Sequence, residues 1–309
     1  MSIREDVTNK IIAAIEAGTP PWRRGWSGGE LAVNAEGVAY RGVNQILLGM
    51  SGFADNRWYT FRQIKMMKGL HVRKGERSTK IIRMVEVERK AADREKDGEV
   101  VEEGQGKALV MRFYDVFNAA QIDGMTPRPE RAHTIEPVDA AEAMVEGMKR
   151  TGLGVRYGFP GASYSLSDDL IRMPERADFH STESLYGVLL HEVVHSTASH
   201  KRLQRLSPSF GDQERAKEEL VAEVGAAMLC AELGIGQSKE CWDNHSAYVA
   251  SWLTLLKQDK NEIFRAAAHA QRACDYIREH AVEAKPKLVQ EIDTEAPQPI
   301  AAKRRGPRM

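Results

Sequence analysis

The chain has 309 residues, 42% of them hydrophobic and 28% charged, and its 44 basic side chains balance 44 acidic ones. That length is enough for two ordinary cores, and the zero net charge excludes a uniformly basic nucleic-acid coat while leaving room for local asymmetry. Three cysteines without a CxxC exclude a disulfide framework, and neither a signal peptide nor an 18-residue apolar run is present, so a soluble cytoplasmic protein with no membrane partner is expected.

In chain order, Val7, Ile11, Ile12 and Ile15 recur at helical spacing, with Gly18 as a stop and Pro20-Pro21 beyond it. TKIIRMVEVE (79–88) and KALVMRFYDVFN (107–118) read as strands. The charged, glycine-containing stretch between them reads as an exposed hairpin loop or a locally disordered one. Residues 121–136 form a proline-containing linker between a first domain, 1–120, and a second, 137–283. The second opens with a helix near Pro137–Lys149, continues through strand-like YSLSDDLIRMP (164–174), and shows helical patterns at about 182–204, 212–233, 239–258 and 262–282. The tail, 284–309, is basic with little to bury and is expected to be disordered. The fold class is α+β: a small mixed α/β N-terminal domain and a mainly helical C-terminal one.

LLHEVVHSTASH (189–200) carries the sharpest chemical signal. One helical turn separates His191 from His195, so both imidazoles reach a single ion, and Glu192 beside them can take a proton from a metal-bound water. Catalytic Zn2+ needs a third protein ligand. His200 lies five residues after His195, out of register with the Gly at +3 and His at +6 of the metzincin pattern, and reads as a helix-end or surface histidine. KEELVAEVGAAMLCAELG (217–234) supplies Glu219 and Glu223 at i, i+4 on a helix that Asp212 can cap and Gly234 can end. Glu219 is the favoured ligand with Glu223 orienting a histidine, and the swapped assignment stays open. The segment Asp168–Pro174 is placed to offer a strand edge to a peptide substrate, or to be an ordinary core strand.

The N-terminal half mixes cations with aromatics. Residues 57–83 hold nine Lys/Arg against the single acid Glu76. Cations neutralise phosphates while flat rings stack on unpaired bases, which points to single-stranded nucleic acid. The candidate contacts are Trp22, Arg23, Arg24 and Trp26 of PPWRRGW; Tyr40, Arg41 and Asn44 of YRGVN; and Trp58, Arg62, Arg73, Lys74 and Lys80. The alternative is that these aromatics fill a small core and the charges form a solvated face.

Both halves resemble one family. IIAAIEAGTPPWRRGW, YRGVNQILL, RWYTFRQI, VRKGERSTKII and FYDVFNAAQIDG, followed by LLHEVVHSTASHKRLQR and AKEELVAEVGAAML, are similar in order and content to the ArdC-type antirestriction proteins of conjugative plasmids and other mobile elements, over about residues 1–260. The N-terminal part is also similar to the leading part of some plasmid primases. The resemblance implies an N-terminal domain that binds single-stranded DNA and a zincin-like metallopeptidase domain. Its metal site would map to His191, His195 and a glutamate of EELVAE, with Glu192 as general base; the protein substrate is left open by the sequence, a host restriction or other DNA-associated protein being the candidate. Gly25 stands where members often have Pro, and Ser196 and Ala198 where Trp and Gly are frequent. The competing expectation is a DNA-coating protection factor whose metal is structural or vestigial.

Overall fold

The computed structural model describes residues 2–18, 20–24, 30–88, 98–103, 107–126, 137–206, 211–236 and 248–282. The tail and most of the expected linker lie outside them.

Helix α1 (Ile3–Glu16) begins at a capping box between Ser2 and Glu5 and buries the predicted stripe of Val7, Ile11, Ile12 and Ile15. Gly18 follows at φ +83°, a conformation that side chains other than glycine's rarely adopt. After α2 (Pro21–Arg24) and α3 (Val43–Gly49), the chain enters strand β1 (Trp58–Thr60), α4 (Phe61–Met66) and β2 (His71–Val72). Strands β3 (Thr79–Glu88), β4 (Gly98–Glu103) and β5 (Lys107–Asn118) follow, then β6 (Ile122–Asp123).

The two long strands match the sequence reading, and they pair antiparallel from Thr79↔Val116 to Glu88↔Lys107. The stretch between them does not read as expected. Gly98–Glu103 is a further strand on the other edge of β5, with a register shift between Val100 and Glu102. Its charges disguised it: a 12-residue strand has two edges to satisfy, and β3 takes only one. The expected linker likewise starts inside paired structure, because Ile122 and Asp123 pair with Val72 and His71.

The C-terminal half comprises α5 (Pro137–Arg150), strands β7 (Gly154–Tyr157), β8 (Ser163–Ser165) and β9 (Leu170–Met173), then α6 (Thr182–Ser196), α7 (Asp212–Leu233), α8 (Val249–Gln258) and α9 (Glu262–His280). Helix α5 comes so close to the end of α9 that a Cβ on Gly147 would lie 2.0 Å from the His280 carbonyl oxygen.

Two expectations are corrected here. YSLSDDLIRMP is a hairpin, not one strand: β8 and β9 pair antiparallel around a turn in which Asp169 adopts φ +50°. Strand β9 is moreover the centre of the order β7-β9-β8, so Asp168–Pro174 offers no edge; the outer sides of β7 and β8 have no strand neighbour among the described residues. Secondly, the helix expected over 182–204 ends at Ser196. The Ser196 and Thr197 hydroxyls turn back to the carbonyls of Val193 and Val194 at 2.7 and 2.6 Å, and the Leu203 to Leu206 amides fold back onto Thr197, Ser199 and Ala198.

The fold is α+β, with its larger sheet in the N-terminal half and its long helices in the C-terminal half. One apolar cluster spans both: the α1 stripe, Trp22, Ile46 and Met111 join Leu189, Val193, Leu220, Val224, Ile263 and Ile277. Trp22 meets Trp252 of α8 edge to face at 5.8 Å.

Candidate metal centre

Helix α6 starts at Ser181, whose hydroxyl caps Ser184 N at 3.0 Å. Its Leu189, Leu190, Val193 and Val194 are fully buried, while His191 and His195 face carboxylates of α7 and Glu192 lines the cleft described below. The two helices lie close because α7 presents a glycine there: a Cβ on Gly225 would meet both Val194 methyls at 3.0 and 3.1 Å. Helix α7 begins one residue after Gly211, which replaces Asp212 as its cap, and ends as expected at Gly234 in the left-handed conformation.

Nε2 of His195 and Nε2 of His191 face each other at 3.0 Å. Glu219 Oε2 lies 3.5 Å from the first of these helix positions, His191 Nε2, and 3.6 Å from His195 Nε2. Ligand atoms of His191, His195 and Glu219 all fall within 4.8 Å of one another, the spacing of donors around one ion. The other ring nitrogens are also addressed by carboxylates. His191 Nδ1 faces Glu223 Oε2 at 3.6 Å, and His195 Nδ1 faces Glu218 Oε1 at 3.4 Å. Three successive carboxylate positions of α7 therefore divide between the inner and the outer side of the two rings, and Glu223 is turned away from the Nε2 atoms.

Sequence reading missed Glu218. It is buried and held by Arg205 through Nη2–Oε1 at 2.6 Å and Nε–Oε2 at 3.1 Å. Arg205 also donates to Thr197 Oγ1 (2.7 Å) and Val194 O (3.1 Å), so one guanidinium closes the end of α6 and fixes the carboxylate behind His195. The signal was present as a second adjacent glutamate in KEELVAE, but only the crossing of the helices shows which side it faces. Burial opposes ionisation of Glu218, yet Arg205 and His195 hold its pKa below the usual carboxylate value. Burial alone would also lower the His195 pKa; hydrogen bonds to Glu218 and Glu219 outweigh it and raise the ring to about 10. Glu219 is held low by His191 and His195 in spite of its burial. The pocket is thus strongly acidic around two imidazoles.

A cleft of about 780 Å3 opens onto this cluster, lined by Ser163, Tyr164 and Ser167 on one side and by His191, Glu192, His195, Glu219, Arg215 and Tyr248 on the other. Tyr248 is a second residue that sequence reading missed. Its ring stacks on Trp252 (6.4 Å, 21°), and burial and the neighbouring Glu219 carboxylate raise its pKa. His200 is exposed and outside the cluster.

The nucleic-acid candidates separate into three groups. Trp22 (0% exposed) and Trp58 (2%) are core residues with no face for a base, because each lies under neighbouring elements that the local sequence does not reveal. Asn44 is a latch: its side chain bonds both the N–H and the C=O of Ile82 at 2.8 Å. Tyr40 is half-buried, and Arg41 pairs with Asp275 of α9. On the surface, Arg73 pairs with Glu76 (2.9 Å) and Lys80 with Asp115 (3.2 Å), whereas Arg62 and Lys74 are exposed cations. Trp26 and the side chains of Arg23 and Arg24 lie outside the described residues. Among the described residues no helix is long and apolar enough to cross a membrane.

A family model described as the N-terminal domain of anti-restriction factor ArdC matches residues 1–117. A second, described as a zincin-like metallopeptidase, matches residues 139–269. The uncharacterized protein y4eC of Sinorhizobium fredii (strain NBRC 101917 / NGR234) is 38% identical over 287 residues, 89% of this chain and 91% of that protein. DNA primase TraC of Escherichia coli is 36% identical over 289 residues, 88% of this chain; the match spans only 27% of the primase. The crystal structure of the antirestriction ArdC protein from plasmid R388 in its Mn(II)-bound form superposes with a TM-score of 0.74 at 36% identity, covering 92% of this chain and 100% of that one. Its metal-free form gives 0.73 at 38% identity, covering 91% and 98%. The chain belongs to the ArdC antirestriction protein family.

Proposed function

We propose that this chain is an antirestriction protein of a mobile element that binds single-stranded DNA through its N-terminal part and carries a divalent-metal peptidase site in its C-terminal part. The observation that carries the peptidase reading is the convergence of His191 Nε2, His195 Nε2 and Glu219 with Glu192 at the floor of an open cleft. The donor set fits a divalent ion: two imidazoles and a carboxylate converge, two further carboxylates back the rings, and a cation offsets the excess negative charge. His191, His195 and Glu219 would hold it, with Glu223 and Glu218 orienting the two rings. The Mn(II)-bound form of the R388 ArdC relative supports a divalent ion as the metal of this chain. Nitrogen and carboxylate donors bind Zn2+ more tightly than Mn2+, so Zn2+ is the ion proposed here.

When bound, the ion would supply Lewis acidity toward water and toward a peptide carbonyl. Glu192, one residue from a ligand and lining the cleft, takes the proton from the attacking water and returns it to the leaving amine. The Tyr248 hydroxyl, which lines the same cleft, would donate to the carbonyl oxygen as charge develops there. An extended substrate would lie along the free side of β8, where main-chain groups are available for pairing. The DNA-binding reading rests on the match to the ArdC N-terminal domain and on the primase relatives.

The test is protection of unmodified DNA against a restriction endonuclease, comparing wild type with Glu192→Gln at equal metal content. The proposal expects the variant to retain metal and fold and to lose protection. Undiminished protection would transfer the function to DNA coating alone and leave the metal with a structural role.

A further inference from the structure

Among the described residues of the N-terminal half, many cations are held in ion pairs within the protein, and most aromatic rings are buried or partly covered. The short helix α4 is different. It is anchored by its Thr60–Gln63 capping box and by one buried side chain, Ile64, and it turns the rest outward. Phe61 is 50% exposed, Met66 76% and Met67 37%. Only six large hydrophobic side chains are exposed among the described residues, so three within seven consecutive positions are a patch rather than scatter. Around them stand Arg62, Lys65 and Lys68, continued along the chain by Lys74 and Arg77, all exposed and none in an ion pair with a described residue. The Lys65 ammonium sits 4.8 Å from the centroid of the Phe61 ring, which is backed by Phe117 at 6.2 Å.

We infer that α4 is the stacking platform for single-stranded DNA, with Phe61 as the ring on which a base rests and Arg62, Lys65 and Lys68 as its phosphate contacts. This rests on the single-strand reading proposed above and relocates its contacts from the tryptophans to a residue outside PPWRRGW and YRGVN. The chemistry suits the occupant. A base that lies on Phe61 displaces the Lys65 ammonium from the ring face, and the freed charge meets the phosphate of the same nucleotide. Unpaired cations of one sign repel a second copy of the same patch. A helix of six residues is too short to lie in a bilayer surface as an amphipathic anchor. Duplex DNA keeps its base faces covered and gives an exposed ring nothing to stack on.

The experiment is fluorescence anisotropy of the full chain with a labelled oligothymidylate of about twenty nucleotides over a range of salt. Phe61→Leu, which keeps an apolar side chain without a ring, should weaken binding on the order of tenfold, and Phe61→Tyr should hold it near wild type. Joint replacement of Arg62, Lys65 and Lys68 by serine should flatten the dependence of log K on log salt by about two. Thermal melts of each variant confirm that the fold is retained, as expected for exposed positions. If wild type binds the oligomer while Phe61→Leu binds equally well, the platform is elsewhere and this inference is wrong. If wild type itself does not bind, the single-strand reading fails as a whole. Equal or tighter binding of the wild type to duplex DNA or to anionic phosphatidylserine vesicles, lost in the serine variant, would give the patch another partner and overturn the assignment.

Discussion

Replacing Arg202 by methionine would test how the strand layer beside the cleft is fastened to the HEVVH helix. Arg202 lies beyond the end of α6 and is buried. Its Nη1 and Nη2 donate to the two carboxylate oxygens of Asp169 at 2.7 and 3.1 Å. Nη1 also reaches Ser196 O (3.1 Å) and Nε reaches Thr151 Oγ1 (3.0 Å). Methionine keeps much of the volume and none of the donors. Asp169 would retain the Tyr164 hydroxyl at 2.9 Å and the Lys201 ammonium at 3.1 Å. Removing one member of a buried ion pair costs about 3–5 kcal/mol, and with two donors left the lower figure is expected.

The sign of the pH dependence follows from Asp169. Burial alone would raise its pKa, but hydrogen bonds from Arg202, Tyr164 and Lys201 hold it below the ordinary value. A carboxyl depressed in the folded state contributes stability above its unfolded pKa of about 3.9 and loses it as the pH falls through the folded value. Without Arg202 the burial effect dominates, the Asp169 pKa rises, and protonation relieves the buried charge. The gap between wild type and Arg202→Met should therefore be widest near neutrality and should narrow at about pH 4 and below. Urea unfolding at the two pH values measures it. A gap that does not change with pH, or one below about 1 kcal/mol at neutrality, would refute this account of the pair.

The ligand assignment makes a graded prediction for α7: Glu219→Ala should abolish stoichiometric metal, whereas Glu223→Ala or Glu218→Gln should weaken affinity by about 10–100-fold, all read by metal analysis against a competing chelator. Retention of metal by Glu219→Ala would remove that residue from the set. Gly147→Ala places a Cβ 2.0 Å from a backbone oxygen that cannot rotate away, so a loss of at least about 2 kcal/mol is expected in thermal or urea unfolding; an unchanged melt would show that α5 and α9 do not approach so closely. Tyr248→Phe should leave metal content unchanged and lower peptidase-dependent protection about tenfold or more, as for loss of one transition-state donor, and full activity would return Tyr248 to a packing role against Trp252.

Much of the candidate site was legible because its signals are local. The spacing of His191 and His195 on an uninterrupted apolar helix, the i, i+4 pair of Glu219 and Glu223, and the stop at Gly234 all follow from helical periodicity and capping, which need no tertiary partner. Strands β3 and β5 were legible for the same reason, as period-two runs of apolar residues. What could not be read depends on where distant segments meet. Trp22 and Trp58 sit in basic, glycine-rich surroundings that look like a surface, yet α8 and the sheet cover them. Strand β4 hides in a run of acids and exists because β5 has a second edge. The free strand beside the cleft is β8, not β9, because β7 claims the other side of β9. Glu218 differs from Glu219 by one position and 100° of helix, and only the crossing of α6 and α7 turns one toward the outer nitrogen of a ring and the other toward the inner. Sequence determined which groups are available and how they are spaced along each helix; the packing of helices and strands from opposite ends of the chain decided which are buried, which face the cleft, and which remain on the surface, because burial is set by neighbours that periodicity does not encode.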